Sequence, residues 1–315
     1  MVRAVVDVGS NSLLLAMGRS YNGALDWFHD ESAVTGIGEG TKLSGKLSSV
    51  GVEKSLAVLR RFWQTAHAAG AESVWAGATM AVRIADDRDI FLDAAKAQGT
   101  PVFVLSGDDE AELGFLSVAE DASLEPSSTV AIIDPGGHST EVVVARQTGE
   151  RWEKVFHHSF PFGALSLREK FLVDASPSLP QRLAATAYLD DELESSDIPI
   201  LEATPVVLGA TGTNLVSVRD QLATWQPDKV HGATLLYEEV GRAVGWLCDM
   251  DDATRAALVG LERGRERTIH GGALILERVL FALKASACRV SVRGWRHALA
   301  AHPEFVPKHF LGVRP

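Results

Sequence analysis

Short apolar runs flank a polar turn at two places in the chain, near its start and near its middle. Residues 4–17 read AVVDVGSNSLLLAM and residues 131–144 read AIIDPGGHSTEVVV. Each segment is an apolar run, an Asp, a Gly-containing turn, a Ser and a second apolar run, which predicts two strands joined by a tight turn. Asp7 and Asp134 lie 127 residues apart, a domain length rather than a solenoid period, so the pattern predicts one hairpin built twice. Between the copies, Val52, Leu56, Leu59, Phe62 and Ala66 recur at helical spacing over 50–69, with Lys54, Arg60 and Arg61 on the other faces. Gly70 closes that helix, and a strand at 73–76 follows. A second amphipathic stretch at 86–97 precedes an apolar strand at 102–105, and Ser106 with Asp109 has capping-box spacing for a further helix. Strands alternating with helices imply parallel crossovers and an α/β fold. In the second half a strand at 206–208 runs into GATGTN at 209–214 and then a helix. The stretch 174–205, with its prolines and the run DDELESSD, reads as a surface excursion with one short helix. Residues 228–300 read as largely helical, and HPEFVPKHF at 302–310 as a docking tail.

The two turns carry the candidate chemistry. Gly9 in the first, and Gly136 and Gly137 in the second, let backbone N–H groups converge on an anion with no Cβ in the way. Asp7 and Asp134 stand where a carboxylate holds a metal ion or its water shell. A single D-x-G-S is an ordinary turn, because Asp, Gly and Ser favour turns everywhere. Two copies in the same strand–turn–strand setting point to a function.

Composition narrows the partners. The 315 residues suffice for two domains with separate cores, divided here as 1–118 and 119–315. A net charge of −11 argues against a broad surface for duplex nucleic acid, although a locally positive site for an anionic substrate remains open. No apolar run approaches the roughly 18 residues of a membrane span, and MVRAVVDVGS lacks the three-part pattern of a secretory signal. Cys248 and Cys288 have no metal-ligand spacing and read as buried thiols. A cytoplasmic protein with no membrane partner is the expectation.

An ordered set of motifs then runs along nearly the whole chain: DVGSNS at 7–12, GEG at 38–40, ATMAVR at 78–83, SGDDEAEL at 106–113, DPGGHSTE at 134–141, FGALSLREKF at 162–171, GATGT at 209–213, GGALILE at 271–277 and RGWRHAL at 293–299. In this order they resemble the exopolyphosphatase and guanosine-pentaphosphate phosphohydrolase family, in its short two-domain form. The resemblance implies two actin-like, ribonuclease H-like domains of the sugar-kinase and actin ATPase superfamily, with a cleft between them. It also implies a Mg²⁺-dependent hydrolase that releases terminal orthophosphate from polyphosphate or the γ-phosphate from guanosine pentaphosphate. On that resemblance Glu110 is the catalytic base for the attacking water and Glu141 a second cleft carboxylate. Asp134 falls on the metal-associated aspartate, with Asp7 its counterpart in the first copy. Arg83 falls on a substrate-binding arginine. Ser10, Asn11, Gly136, Gly137, His138 and Ser139 belong to the phosphate-binding loops, joined by Gly209, Thr211, Gly212 and Thr213 of the GATGT loop. Homodimers are common in the family, so self-association is expected on that ground alone. The chemistry is coherent, since phosphoryl transfer needs an oriented water, cations for developing charge and donors around the transferred group.

The chain also departs from the family pattern. Pro135 stands where Ile is usual and removes an N–H donor, and His138 replaces a third Gly, where it either touches phosphate or blocks the loop. Glu112 replaces an Arg, Ser166 stands where Arg is common, and Arg267 and Val292 occupy usual Asp positions. These changes shift the expected substrate away from long polyphosphate, which needs a basic channel. Two other readings stay open at this point. One is a relative that binds and senses polyphosphate or a nucleotide without hydrolysing it. The other is an ATP-dependent kinase-like enzyme, for which nothing beyond GATGT speaks. Taken alone, Glu110 and Asp109 are also a plain acidic helix start, favourable against the helix dipole.

Overall fold

The β-branched run before Asp7 forms β1 (Val2–Val8), and the apolar run after the turn returns beside it as β2 (Ser12–Tyr21), antiparallel. This computed structural model describes residues 1–21, 24–124, 128–149, 151–200 and 204–311. A third antiparallel strand, β3 (Ala24–Val34), completes a meander. After a short turn of helix, α1 (Thr41–Ser44), Ser48 caps α2 (Ser49–Ala68) by accepting the Gly51 N–H at 3.2 Å. The buried face of α2 carries Leu59, Phe62, Trp63 and Ala66, the 3–4 spacing of an amphipathic helix. The chain crosses over to β4 (Ser73–Ala78), parallel to β1, then passes α3 (Met80–Ile84) and α4 (Arg88–Ala97) to β5 (Phe103–Val104), parallel to β4. The first sheet therefore has the order β3-β2-β1-β4-β5.

The helix α5 (Gly107–Ala119) follows, and the same plan begins again. The strands β6 (Thr129–Pro135), β7 (Thr140–Thr148) and β8 (Arg151–Phe160) make the second meander. Two helices, α6 (Ala164–Lys170) and α7 (Leu179–Glu194), lead to β9 (Val206–Val207), parallel to β6. Beyond it come α8 (Gly209–Arg219), α9 (Pro227–Val230), β10 (Thr234–Leu236), α10 (Tyr237–Asp249), α11 (Asp252–Ala256), α12 (Ile269–Ala282) and β11 (Ala287–Val290). The second sheet reads β8-β7-β6-β9-β11-β10. Its first five positions repeat the first sheet: an antiparallel meander, then parallel strands reached by helical crossovers.

The chain forms two compact units, Met1–Leu113 with Trp295–Pro315, and Gly114–Gly294. The sequence-based division at 118/119 thus lies five residues beyond the structural one, inside α5. The C-terminal residues also group with the first unit, where a linear division gives them to the second. The last helix, α13 (Trp295–Ala301), is anchored there by Asp30 of β3, which accepts from Arg296 Nη2 at 2.7 Å and lies 3.3 Å from His297 Nε2. Burial opposes the Asp30 charge, but Arg296 and His297 outweigh it and hold the carboxyl well below the usual carboxylate range. The stretch read as a docking tail makes two single 3₁₀ turns, Pro303–Phe305 and Lys308–Phe310, and Phe310 stands edge-on to Phe103 at 5.3 Å.

Two expectations for the second unit are corrected. The segment read as largely helical contains β10 and β11, and the excursion after 174 contains a 16-residue helix, α7, with Ala185, Leu189 and Leu193 buried at a spacing of four. Both thiols are buried, and burial pushes Cys288 up to about 12.

Around the start of α12 the second unit gathers cations in its interior. Arg255 is fully buried. Its Nε donates to the Glu266 carbonyl at 2.6 Å, its Nη1 to Leu247 and Met250 at 2.7 Å each, and its Nη2 to Ala175 at 2.7 Å and to the Asp252 carboxylate. All five N–H groups of the guanidinium are thereby used. The imidazole of His270 is buried nearby, and burial, reinforced by the charges of Arg255, Arg168 and Arg182, lowers it from 6.5 to about 3. The folded chain therefore keeps His270 neutral where the unfolded chain protonates it. Stability from this group is full above pH 6.5 and is lost as pH falls towards about 3, by at most about 1.4 kcal/mol per pH unit. Urea unfolding at pH 7 and pH 5 is expected to show a steeper decline for wild type than for His270→Gln; equal declines would remove His270 from the acid response.

Candidate active site

Each hairpin turn is pulled back by its own carbonyls. In the first, the Gly9 N–H donates to the Ser12 carbonyl at 3.0 Å. The Ser10 carbonyl accepts from Gly38 at 2.8 Å and the Asn11 carbonyl from Thr35 and Gly36 at 3.0 Å. In the second, Gly136 donates to the Ser139 carbonyl at 2.9 Å, the Gly136 carbonyl accepts from Ala164 at 2.9 Å, and the Gly137 carbonyl accepts from Leu165 at 2.8 Å and Ser166 at 3.1 Å. There are no cis peptides among the described residues, and in a trans peptide the C=O and the following N–H point in opposite directions. The N–H groups of Asn11 and Ser12, and those of Gly137 and His138, are consequently aimed away from the elements that hold the carbonyls. Successive N–H groups presented in this way form a concavity suited to an anion.

The glycines act through space rather than through unusual dihedrals. A Cβ on Gly9 would lie 3.0 Å from the Ser12 carbonyl oxygen, and one on Gly136 2.9 Å from that of Ser139. Tighter still is Gly163, just before α6, where a Cβ would meet the Gly137 carbonyl at 2.4 Å. Ser166, found where an arginine is usual in the family, closes this junction: its hydroxyl accepts the Gly163 N–H at 2.8 Å and donates to the Gly163 carbonyl at 3.0 Å.

His138 lies in the interior of the second unit. The residue is fully buried, with Nε2 4.0 Å from Glu169 of α6. The imidazole is thus packed beside α6 and closed off from solvent. Ser10 and Ser139 are likewise buried as side chains.

Asp7 and Asp134 occupy matching places, each one residue from the end of the first strand of its meander. Opposite Asp7 stand Leu14 and then Ser32; opposite Asp134 stand Glu141 and then Ser159. Residues directly opposite in adjacent strands share a face. The second unit thus aligns two carboxylates and a hydroxyl in one row, where the first has a single carboxylate. Glu141 is only 7% exposed, and its Oε1 accepts from Ser159 Oγ at 2.8 Å. Like charges directly opposite destabilise a sheet, and oxygen donors of this kind suit a hard divalent cation. Room beside Asp134 is kept by Gly209 at the start of α8, where a Cβ would approach Oδ1 to 2.9 Å. Among the described residues no group of three or more His, Cys, Asp or Glu side chains is gathered for a metal. An ion here would complete its shell with water and substrate oxygens, as Mg²⁺ commonly does.

In the first unit Ser106 accepts the Asp109 N–H at 3.1 Å and donates to the Asp109 carboxylate at 2.7 Å, which makes Ser106 the N-cap of α5 and Asp109 its third-position partner. Glu110, the next residue, accepts from Arg83 Nη1 at 3.1 Å, and the same Nη1 donates to the Leu105 carbonyl at 2.8 Å. Both side chains are mostly buried, at 22% and 13% exposure. Two residues picked separately from the sequence are therefore one ion pair.

The GATGT residues show mostly packing. A Cβ on Gly212 would strike Val207 of β9 at 2.7 Å, and one on Gly272 of α12 would strike Thr211 at 2.4 Å. Thr213 turns its hydroxyl to the Ala210 carbonyl at 3.2 Å. Gly209 alone of this group borders a carboxylate of the site.

Ser159 and Gly163 were missed as site residues. Gly163 lay within a quoted motif, and its spacing just before a helix was an available signal. Ser159 gave none, because the β7–β8 register shifts between Val144 and Ala145.

Two units that repeat one strand order around a carboxylate and an N–H-presenting turn define the actin-like ATPase fold. The model of the Ppx/GppA phosphatase family matches residues 17–302, and the chain belongs to that family as one of its hydrolases. It is 28% identical over 302 residues to exopolyphosphatase 2 of Mycobacterium tuberculosis, covering 90% of this chain and 91% of that protein. It is 27% identical over 216 residues to a guanosine-5'-triphosphate,3'-diphosphate pyrophosphatase of Pseudoalteromonas translucida, across 67% of this chain and 42% of that protein. Among solved structures, the Aquifex aeolicus Ppx/GppA family member superposes with a TM-score of 0.77 at 27% identity, over 96% of this chain and 97% of that one. No helix among the described residues is long and apolar enough to cross a membrane.

Proposed function

We propose that the chain releases terminal orthophosphate from short polyphosphate or guanosine pentaphosphate by attack of water, with Mg²⁺ as the divalent cation. The observation that carries this reading is the duplicated turn, in which neighbouring backbone tethers the carbonyls and leaves the N–H groups to face a phosphate. A Mg²⁺ ion at Asp134 in the second unit would neutralise the charge that develops on the transferred group, and Asp7 offers a carboxylate at the matching place of the first unit. Glu141, in line with Asp134, would orient a water of that ion. Glu110 takes the proton of the attacking water, and Arg83 fixes the Glu110 carboxylate while offering its remaining N–H groups to a substrate oxygen. The names of the mycobacterial and Pseudoalteromonas relatives support both substrate classes. A homodimer in the cytoplasm completes the proposal.

The Arg83–Glu110 pair also favours the second reading, a sensor that binds such a compound without hydrolysing it, because a carboxylate neutralised by a guanidinium is a poorer proton acceptor. Orthophosphate release from tripolyphosphate, longer polyphosphate and guanosine pentaphosphate, with Mg²⁺ and with EDTA, separates the two. Release that requires the metal supports hydrolysis. Thermal stabilisation by these compounds without any release, under every divalent ion tried, supports the sensor.

A further inference from the structure

Glu141 is buried on a central strand of its meander, yet the serine bonded to it lies on β8, an exposed edge strand of the second sheet. Ser159 has no part in either phosphate loop and none in the ion pair of Glu110. Its Oγ donates to Glu141 Oε1 at 2.8 Å, across the β7–β8 pair in which the two residues are direct partners. A glutamate has three side-chain torsions, and a donor fixed to a neighbouring strand removes much of that freedom. In the corresponding row of the first unit, Leu14 stands between Asp7 and Ser32, where the second unit has Glu141. A serine directly opposite a carboxylate in this row therefore belongs to the second unit.

We infer that Ser159 is a positioning residue, which clamps one oxygen of Glu141 so that the carboxylate meets the divalent cation and its water in a single orientation. This rests on the reading of Glu141 as a carboxylate of the hydrolytic site. The bond itself lies within one rigid pair of strands. The clamp acts from the sheet edge, so its loss changes the carboxylate and leaves the fold intact.

The test is a double-mutant cycle with a conservative rescue. Orthophosphate release from tripolyphosphate is measured against Mg²⁺ concentration for wild type, Ser159→Ala, Ser159→Thr, Glu141→Gln and the Ser159→Ala/Glu141→Gln double variant. Isothermal calorimetry of Mg²⁺ with imidodiphosphate on the same proteins gives a reading that needs no turnover. Ser159→Ala is expected to lower release about three- to tenfold, the scale of one hydrogen bond, and to raise the Mg²⁺ needed for half-maximal release. Ser159→Thr keeps the hydroxyl, and the exposed position has room for its methyl group, so it is expected to restore the wild-type values. In the Glu141→Gln background the amide oxygen still accepts from Ser159, but the neutral side chain no longer draws the cation, so the alanine change is expected to add nothing. The thermal midpoint is expected to stay within about 2 °C of wild type, since surface substitutions change stability little. A full effect of Ser159→Ala in the Glu141→Gln background, failure of threonine to rescue, or wild-type behaviour of Ser159→Ala overturns the clamp. If wild type releases no phosphate, the hydrolytic reading fails by itself. The calorimetric cycle then decides the clamp, which falls if Ser159→Ala binds Mg²⁺ and imidodiphosphate as wild type does.

Discussion

Glu110→Gln is expected to cut orthophosphate release by at least about a hundredfold, the scale of losing a positioned general base. The amide keeps the length and planarity of the side chain, and its oxygen still accepts from Arg83 Nη1, which remains tied to the Leu105 carbonyl. What it loses is the capacity to take a proton. The variant should therefore retain its thermal midpoint and its stabilisation by tripolyphosphate while release collapses, which separates chemistry from binding. Release within threefold of wild type would remove Glu110 from the base role.

The largest expected effect on stability is at Arg255. In Arg255→Met the aliphatic bulk stays, but the carbonyls of Ala175, Leu247, Met250 and Glu266 and the Asp252 carboxylate lose their shared donor. Removing one partner from a buried charged network costs about 3–5 kcal/mol. In a unit of this size each kcal/mol lowers the thermal midpoint by about 2–4 °C. Calorimetry should thus find a fall of about 10 °C in the unfolding of the second unit. Arg255→Lys is not expected to restore it, since an ammonium presents three donors from one point and the acceptors surround a planar fork. A midpoint within 2 °C of wild type for Arg255→Met would show that the carbonyls find other donors.

The first two strands of each meander were legible because short apolar runs flank turns rich in Asp, Gly and Ser; the third strands, β3 and β8, were not, since they are mixed in polarity and follow no such turn. The helices α2 and α5 were legible from apolar spacing and from Ser106 with Asp109. The strands β10 and β11 were not, since three and four residues among helices are too short to show a period of two. The apolar face of α7 was masked by its acidic end and flanking prolines, and only a narrow Ala185, Leu189, Leu193 stripe marks it. At the site, duplication pointed to Asp7 and Asp134, and the substitution at 138 was visible. The direction of the His138 side chain was not, because it depends on α6 packing against the loop. The pairing of Arg83 with Glu110 likewise required the crossover from α3 to α5, which joins residues 27 apart.

The way the second turn is held bears on which residues its shape depends on. Its donors are main-chain groups, and their direction is imposed by Ala164, Leu165 and Ser166 through the carbonyls behind them. The side chain of a residue in the turn is then free to pack inward, as that of His138 does. A single carbon added at Gly163 would collide with the turn. The shape of the turn thus depends on a residue that lies outside it.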